Sequence, residues 1–317
     1  METQATKGFY CLANDAVLEW TIAFLESFRV HEPEGHLVII PFDDNTDELV
    51  KLSHQYKFEL FQDKSLLEEL DLIGSCFSDE YAQIHTFRKF AAFWGEFDRF
   101  LFIDSDIVLL DRTEELFDAY LSSDCEFMYS DPNMEEVYEP GSFREEMISN
   151  YSAVGFNAGF FISSKNMITL DDLKDLVKAA ATVKDNFVMR NGEQPFLNYC
   201  VHSKKLKANA FADVIDDLSE WTWAGLNPIS MSDGIYRLNG KRLAYLHWAA
   251  LRCNAGMPHR NIFLLYRLNS VSSLSRFGYI VTSLCSWWTF RLLRKIFNIL
   301  NIQNEWVTAT GRACQPD

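Results

Sequence analysis

The segment Arg99–Asp111, RFLFIDSDIVLLD, places two aspartates one residue apart between two apolar runs. Phe100–Ile103 are four bulky apolar residues in succession, which is typical of a strand covered on both faces. Asp104 and Asp106 follow directly at its end. Carboxylates this close together repel each other and lose hydration. The segment therefore predicts a positive partner for the two carboxylates, and a divalent cation is the natural candidate.

The chain before and after this segment alternates between short apolar runs and helical patterns. Apolar runs indicate strands near residues 8–13, 36–42, 57–62, 125–130 and 155–164. Helical spacing of apolar residues covers 14–33, 84–97 and 170–183; in the second of these it puts Phe87, Phe90, Ala91 and Trp94 on one side. This alternation predicts an α/β domain with a mainly parallel sheet flanked by helices. Ligands of such sheets bind beyond the carboxyl ends of the strands, where Asp104 and Asp106 lie.

Composition restricts the class of protein and its compartment. The 317 residues carry a net charge of -16, which argues against a nucleic-acid partner because phosphate neutralisation supplies most of that affinity. A hydrophobic content of 48% allows a sizeable core. The seven cysteines form no CxxC pair, and the amino terminus lacks a basic segment followed by an apolar one. Both observations predict a reducing, cytoplasmic location.

Five segments, in order, carry a resemblance to a known family. They are YCLANDAVLEWTIAFLESFRVHEP (10–33), RKFAAFWGEFDRFLFIDSDIVLLDRTEELFD (88–118), GFNAGFFISS (155–164), GEQPFLNY (192–199) and YLHWAAL (245–251). Together they resemble the glycogenin-like retaining glycosyltransferases of family 8, over roughly residues 8–255. The resemblance implies a GT-A fold, a nucleotide-diphosphate sugar donor (most often a UDP-sugar) and Mn²⁺ or Mg²⁺ as cofactor. The acceptor, whether a glycan, a lipid-linked molecule or a protein, stays open, as does the anomeric outcome from the residues alone.

The resemblance assigns three metal ligands. Asp104 and Asp106 match the family's DxD motif, with Ser105 between them counted among the donor-binding residues, and His247 matches the third protein ligand. A bound cation would stabilise the negative charge of the diphosphate leaving group. Two carboxylates with one imidazole favour Mn²⁺ over Mg²⁺. Without the ordered motifs, His247 would read as a hydrogen-bonded core histidine.

Donor binding is assigned in the same way. Asn14 matches a residue that contacts the uracil–ribose region, and its side chain could also cap the following helix. Arg88 or Lys89 falls where the family places a cation facing the donor, and the sequence does not decide between them. After the metal-binding histidine the family has a glycine and then a lysine that pairs with the diphosphate. Cys253 stands at the lysine position, so the neighbouring Arg252 would have to supply the charge.

Three catalytic positions follow from the resemblance. Asn157 matches an amide beside the transferred sugar, and Glu193 and Gln194 match the family's usual Asp-Gln pair. The longer glutamate is a departure, and a misplacement of about 1 Å can cost about 10²-fold in rate. Trp221 and Trp223 alternate along an extended segment. They would either line an acceptor groove or pack between layers.

The composition changes near residue 263, which predicts domains at 1–262 and 263–317. Apolar residues of the second segment, including Ile280, Leu284, Trp288, Leu292 and Ile296, recur at helical spacing, with basic residues on another face. The apolar stretch is too short to span a bilayer. The pattern fits either an interfacial membrane anchor, which would make the protein peripheral on a membrane, or helices that pack on the catalytic domain or on the second subunit of a homodimer.

Two other functions stay open from the residues. The run FIDSDIV also resembles the motif of haloacid-dehalogenase-type phosphatases, in which Asp104 would be the nucleophile and Asp106 the general acid/base. That motif normally opens its domain, whereas here about a hundred residues of α/β pattern precede it. The departures at Glu193 and Cys253 also fit a GT-A protein that binds a nucleotide sugar without transferring it.

Overall fold

The computed structural model describes residues 6–225, 228–273, 275–284, 288 and 291. Its strands are β1 Lys7–Ala13, β2 Leu37–Pro41, β3 Phe58–Leu60, β4 Arg99–Ile103, β5 Ile107–Leu109, β6 Phe127–Tyr129, β7 Phe160–Ser164, β8 Ala208–Ala210, β9 Ile229–Ser232, β10 Ile235–Leu238, β11 Lys241–Arg242 and β12 Tyr245–His247. The main sheet has seven strands in the order β3-β2-β1-β4-β7-β6-β8. Strand β7 runs antiparallel to both neighbours, and the other pairs are parallel. The predicted mainly parallel α/β fold is confirmed.

Helices cover both faces of this sheet. They are α1 Leu18–His31, α2 Asp47–Tyr56, α3 Lys64–Phe77, α4 Tyr81–Thr86, α5 Glu114–Ser122, α6 Ser142–Tyr151, α7 Leu170–Ala181, α8 Gln194–Ser203, α9 Phe211–Val214 and α10 Arg260–Arg267. Helices α3, α7 and α8 pack with Phe100 and Phe102 in one core cluster. Helices α1, α2 and α5 pack with Leu101 and Ile103 in the other. Alternate residues of β4 thus enter opposite cores, which explains why Phe100–Ile103 are all apolar.

The helix predicted over 84–97 differs from the structure in its type. After α4 the chain continues as a 3₁₀ helix, Phe87–Trp94. Phe87, Phe90 and Phe93 are at most 1% exposed, whereas Trp94 is half-buried. A 3₁₀ helix has three residues per turn, so side chains three apart lie on one face. Trp94 nevertheless packs, partly buried, against the same core cluster as Phe87, Phe90 and Ala91, as the spacing predicts. Phe93, which the spacing left out, is fully buried in that cluster as well.

The chain divides into two compact units, Met1–Ala249 and Ala250–Asp317. In the second unit, α10 and the helical residues 275–284 are described. Leu292 and Ile296, on which part of the amphipathic prediction rests, lie outside the described residues. The domain boundary at 262/263 stays a prediction. Among the residues that the structure describes, no helix has both the length and the apolar character needed to cross a membrane.

A buried histidine in α8 makes stability depend on pH. His202 is 5% exposed; its Nε2–H donates to the Val154 carbonyl (3.2 Å), so Nδ1 accepts from the Tyr138 hydroxyl (2.8 Å). Burial lowers the pKa of His202 from 6.5 to about 4. Between those values the unfolded chain binds a proton that the folded chain rejects. Stability is therefore lost as pH falls through this window.

We expect the free energy of unfolding to fall by up to about 3 kcal/mol between pH 6.5 and pH 4 through this group alone. Urea denaturation of the parent and of His202→Phe across that range measures it, since the variant lacks the titrating ring. His54→Phe, at an exposed position of α2, is the control and should keep the parent's pH dependence. Parallel curves for His202→Phe and the parent would contradict the assignment.

Candidate active site

Two aspartates and a histidine converge at the carboxyl end of β4. Asp104 follows β4 directly, and Asp106 precedes β5. Strand β12 pairs with β5 so that His247 lies opposite Ile107, and the Trp248 amide donates to the Asp106 carbonyl (3.0 Å). His247 Nε2 lies 3.1 Å from Asp106 Oδ1 and 4.0 Å from Asp104 Oδ2. The fold therefore brings together three side chains that are far apart in the sequence.

The spacing of these atoms fits one divalent ion. One ligand atom from each residue lies within 4.8 Å of the others. With metal–ligand bonds of about 2.1 Å, adjacent ligand atoms are about 3 Å apart and opposite ones about 4.2 Å apart. The distances of 3.1 and 4.0 Å from His247 Nε2 to the two carboxylates lie in this range. The carboxylates are about a quarter exposed, at 27% and 26%, so a ligand can reach them.

The pKa values of the three cluster residues are shifted by burial and by one another's charge. Burial raises the pKa of Asp104, and the charge of Asp106 adds to this although Lys89 opposes it. For Asp106, the charge of His247 and its hydrogen bond outweigh burial and lower the pKa. Burial acts to lower the pKa of His247, but the charge of Asp106 outweighs it and the pKa is raised. The cluster thus favours an ionised Asp106 facing a cationic partner.

Lys89 is the cation that points into the site. Its Nζ lies 3.2 Å from Asp104 Oδ1 and 2.5 Å from Glu193 Oε1, and it donates to the Ala158 carbonyl (3.0 Å). The residue is 4% exposed. Burial would lower the pKa of Lys89, but Asp104 and Glu193 raise it. Arg88 instead pairs with Asp71 (2.6 Å) on α3. The two candidates that the sequence left open therefore have different partners, and only Lys89 contacts the cluster.

The predicted sugar-binding residues surround the start of β7. Gln194 Oε1 accepts from the Ala158 amide (3.2 Å), and its Nε2 donates to the Glu136 carbonyl (3.1 Å). Asn157 Oδ1 accepts from the Gly159 amide (2.7 Å). Glu193 is 6% exposed and held by Lys89. These contacts fix all three side chains beside Asp104, whose amide donates to the Gly159 carbonyl (2.7 Å). Their catalytic roles stay predictions.

Asn14 lies further along the same edge of the sheet. Its Oδ1 accepts from the Ala16 amide (3.1 Å), so it caps the short 3₁₀ turn before α1. Its Nδ2 donates to Asp43 Oδ2 (2.9 Å), which also accepts from the Tyr81 hydroxyl (3.3 Å). Asp43 was not among the predicted site residues. It lies two residues beyond the end of β2, whereas Asp104 follows β4 directly. A carboxylate shortly after a predicted strand was the signal available in the sequence.

Asp131, which lies two residues beyond the end of β6, was also not among the predicted site residues, and the available signal was the same. Its carboxylate accepts from the Thr222 amide (2.6 Å) and hydroxyl (2.5 Å). The Thr222 carbonyl in turn accepts from the His247 amide (3.0 Å). Burial raises the pKa of Asp131. Asp131 therefore anchors the segment that holds His247 in place.

The remaining predicted positions are Ser105 and Arg252. Ser105 is half-buried in the turn between the two aspartates. Arg252 belongs to the second unit, and its contact with a diphosphate stays a prediction. In that unit Ala250 has a φ of 59°, a conformation that glycine adopts more readily.

The fold and the site together define the class of protein. A mostly parallel sheet flanked by helices, with an Asp-x-Asp turn after a central strand and a histidine beside it, is the GT-A arrangement of glycosyltransferases. Residues 41–215 match the model of glycosyl transferase family 8. This match spans more than half of the chain, so the protein belongs to glycosyl transferase family 8. The phosphatase alternative is thereby set aside.

Solved structures share the fold at low sequence identity. The apo structure of the WbbM bifunctional glycosyltransferase has a TM-score of 0.57 and 13% identity, over 88% of this chain and 52% of WbbM. This chain thus spans about half the length of WbbM. An active-site mutant of LgtC has a TM-score of 0.51 and 12% identity, over 76% of this chain and 87% of LgtC. No curated protein sequence matches the chain.

Proposed function

We propose that the protein transfers a sugar from a UDP-sugar donor to an acceptor hydroxyl, with retention, using Mn²⁺ or Mg²⁺. The observation that carries the proposal is the cluster of Asp104, Asp106 and His247, whose ligand atoms lie within 4.8 Å of one another. Around it lie a buried cation and three fixed polar side chains. Sugar transfer from a nucleotide diphosphate requires groups of this kind, which stabilise the charge of the leaving group and hold the sugar.

The site residues form two groups: one would bind the nucleotide diphosphate of the donor, and the other would hold its sugar. When bound, a divalent ion would stabilise the negative charge that develops on the departing diphosphate. Asn14 and Ser105 would contact the nucleotide, with Arg252 pairing with the diphosphate. Asn157, Glu193 and Gln194 would hold the sugar against Asp104. Lys89 keeps the Glu193 carboxylate oriented (2.5 Å), and the departing phosphate would take the proton of the acceptor hydroxyl.

Calorimetric titration of UDP and of GDP, each with and without Mn²⁺, tests this function. We expect the parent to bind UDP only with Mn²⁺, because the carboxylates and the diphosphate are all negatively charged and the metal ion has to offset their repulsion. Asp106→Ala should abolish this binding. Asp118→Ala, at an exposed position of α5, is the matched control and should bind like the parent. Release of UDP from UDP-glucose or UDP-galactose would then identify the sugar.

Three results would contradict the proposal. UDP binding that survives Asp106→Ala unchanged would mean that the cluster is not the donor site. Preference for GDP would overturn the choice of nucleotide. No nucleotide binding by the parent would mean that the departures at Glu193 and Cys253 have disabled the donor site.

We also propose that the second unit binds an anionic membrane surface from the cytoplasmic side. Phe277, Val281, Leu284 and Trp288 recur at helical spacing and are 36–68% exposed. Residues 263–317 carry six basic and two acidic residues, against a net charge of -16 for the whole chain. Apolar exposure beside positive charge suits an interfacial helix.

Flotation with vesicles that contain phosphatidylserine tests the membrane proposal. The parent should float, and the double variant Phe277→Ser, Trp288→Ser should not. Leu72→Ser, at a 69% exposed position of α3, is the control and should float. If the parent does not float with the vesicles and elutes as a dimer in gel filtration, the helix belongs to a homodimer interface instead.

A further inference from the structure

An exposed tryptophan lies next to the metal cluster in a fixed orientation. Trp223 is 39% exposed, and its indole N–H donates to the Ala249 carbonyl (3.0 Å). Gly225 lies beneath the ring, since a Cβ there would be 2.4–2.6 Å from three ring atoms. The polar edge of the indole is therefore already bonded. What remains accessible to a ligand is the apolar surface of the ring.

The backbone places this ring beside His247. The His247 amide donates to the Thr222 carbonyl (3.0 Å), and the Ala224 amide donates to the His247 carbonyl (2.7 Å). Trp223 and His247 thus form a parallel bridge, in which paired side chains point to the same face. His247 is one of the three cluster residues. A molecule stacked on Trp223 would therefore have its nearest groups close to the reacting sugar.

The position of Trp223 along the sheet edge indicates which substrate, donor or acceptor, its ring would contact. Its segment is tied through Thr222 to Asp131, which follows β6. Asn14 and Asp43 follow β1 and β2, and β4 with Asp104 lies between those strands and β6. If the nucleoside binds near Asn14, as the proposed function has it, the nucleotide base occupies the β1 side. The ring of Trp223 is then left for the molecule that arrives from the other side, the acceptor.

We propose that Trp223 is a stacking platform for a pyranose ring of the acceptor, so that the acceptor is a glycan. The C–H face of a pyranose is apolar and flat enough to cover an indole, while its hydroxyls stay at the rim in water. A hydroxyl of a serine or threonine side chain offers no such face. This inference rests on the proposed function for the position of the donor, and it adds the class of the acceptor.

Saturation-transfer NMR tests the platform directly. The probes are methyl α-D-glucopyranoside and methyl β-D-galactopyranoside, with N-acetylserinamide as a hydroxyl without a sugar ring. Spectra are recorded with and without UDP and Mg²⁺, which unlike Mn²⁺ does not broaden the signals. We expect transfer from indole protons to the C–H protons of one pyranoside face. Trp223→Ala should weaken binding about tenfold, which corresponds to about 1.4 kcal/mol.

Two further variants keep the result interpretable. Trp223→Phe keeps an aromatic face and should retain most of the transfer. Gly225→Ala keeps the tryptophan but displaces its ring, and should lose the transfer even if Trp223→Ala does not fold. Met231→Ala, at a 64% exposed position of β9, is the control and should behave like the parent.

The outcomes separate this inference from the proposed function. Pyranoside transfer that is unchanged in Trp223→Ala or Gly225→Ala, or that is absent from the parent, overturns the platform even when UDP binds. Transfer to N-acetylserinamide alone overturns the glycan in favour of a protein acceptor. Transfer that depends on Trp223 while the parent binds no UDP supports the platform and counts against the proposed donor chemistry.

Discussion

Replacing Gly159 by alanine is expected to weaken metal-dependent binding of UDP strongly. A Cβ at this position would lie 2.5 Å from His247 Cε1, 2.6 Å from Asp104 Oδ2 and 2.9 Å from Asn157 Oδ1. At least one of these side chains has to move, and disturbing the groups that support metal ligands typically lowers metal affinity by about 10–100-fold. We expect the dissociation constant for UDP with Mn²⁺, measured by calorimetry, to rise by about 10–100-fold.

Gly278→Ala is the matched control for this substitution, because an added Cβ there meets no heavy atom within 4 Å. It should bind UDP like the parent. Overpacking in Gly159→Ala should also lower the free energy of unfolding, by about 1–3 kcal/mol, and thermal melting measures that separately. A Gly159→Ala variant that binds UDP within a few-fold of the parent would show that Asp104, Asp106 and His247 are not the binding site.

Replacing Lys89 by methionine is expected to cause a large loss of stability. Its ammonium group lies 2.5 Å from Glu193 and 3.2 Å from Asp104, and Glu193 is 6% exposed. Methionine fills a similar volume but leaves both carboxylates without their cation. Breaking a buried ion pair in this way costs about 3–5 kcal/mol. Because Asp104 is 27% exposed and partly screened, we expect about 3 kcal/mol by urea denaturation at pH 7.

A surface lysine provides the comparison for Lys89. Lys174 pairs with Glu69 (2.5 Å), but the two side chains are 39% and 37% exposed. Exposed pairs of this kind contribute about 1 kcal/mol or less, so Lys174→Met should change stability little. Equal effects of the two substitutions would mean that the Lys89 contacts are no stronger than a surface pair. That result would remove Lys89 from the electrostatic framework of the site.

Part of the candidate site could be predicted from local patterns and from the order of motifs along the chain. Asp104 and Asp106 follow an uninterrupted apolar run, and this pattern placed them at the end of a central strand. His247 and Asn157 were found through resemblance, because neither has a local pattern that marks it. The ion pair between Lys89 and Glu193 was not predicted, since its partners meet only after β4 and β7 pair.

Other features of the fold and the candidate site could not be predicted from the sequence. A 3₁₀ helix and an α-helix share similar apolar spacing over a few residues, so Phe87–Trp94 was assigned the wrong helix type. Asp43 and Asp131 look like ordinary turn residues. Only the strand order reveals that they lie on the same edge of the sheet as Asp104. Trp223 was open to two interpretations from the sequence, and its hydrogen bond to Ala249 and its exposure are visible only in the structure.

The pairing of distant segments also determines when the site can form during folding. Asp106 and His247 are 141 residues apart, and β7 must align with β4 before Gly159 reaches Asp104. Contacts of such long sequence separation require closure of large loops, which slows their formation. A chain emerging from the ribosome has to be synthesised past His247 before Asp104, Asp106 and His247 are all present. On the proposed function, the appearance of nucleotide binding would therefore mark the end of folding, after the collapse of the two cores.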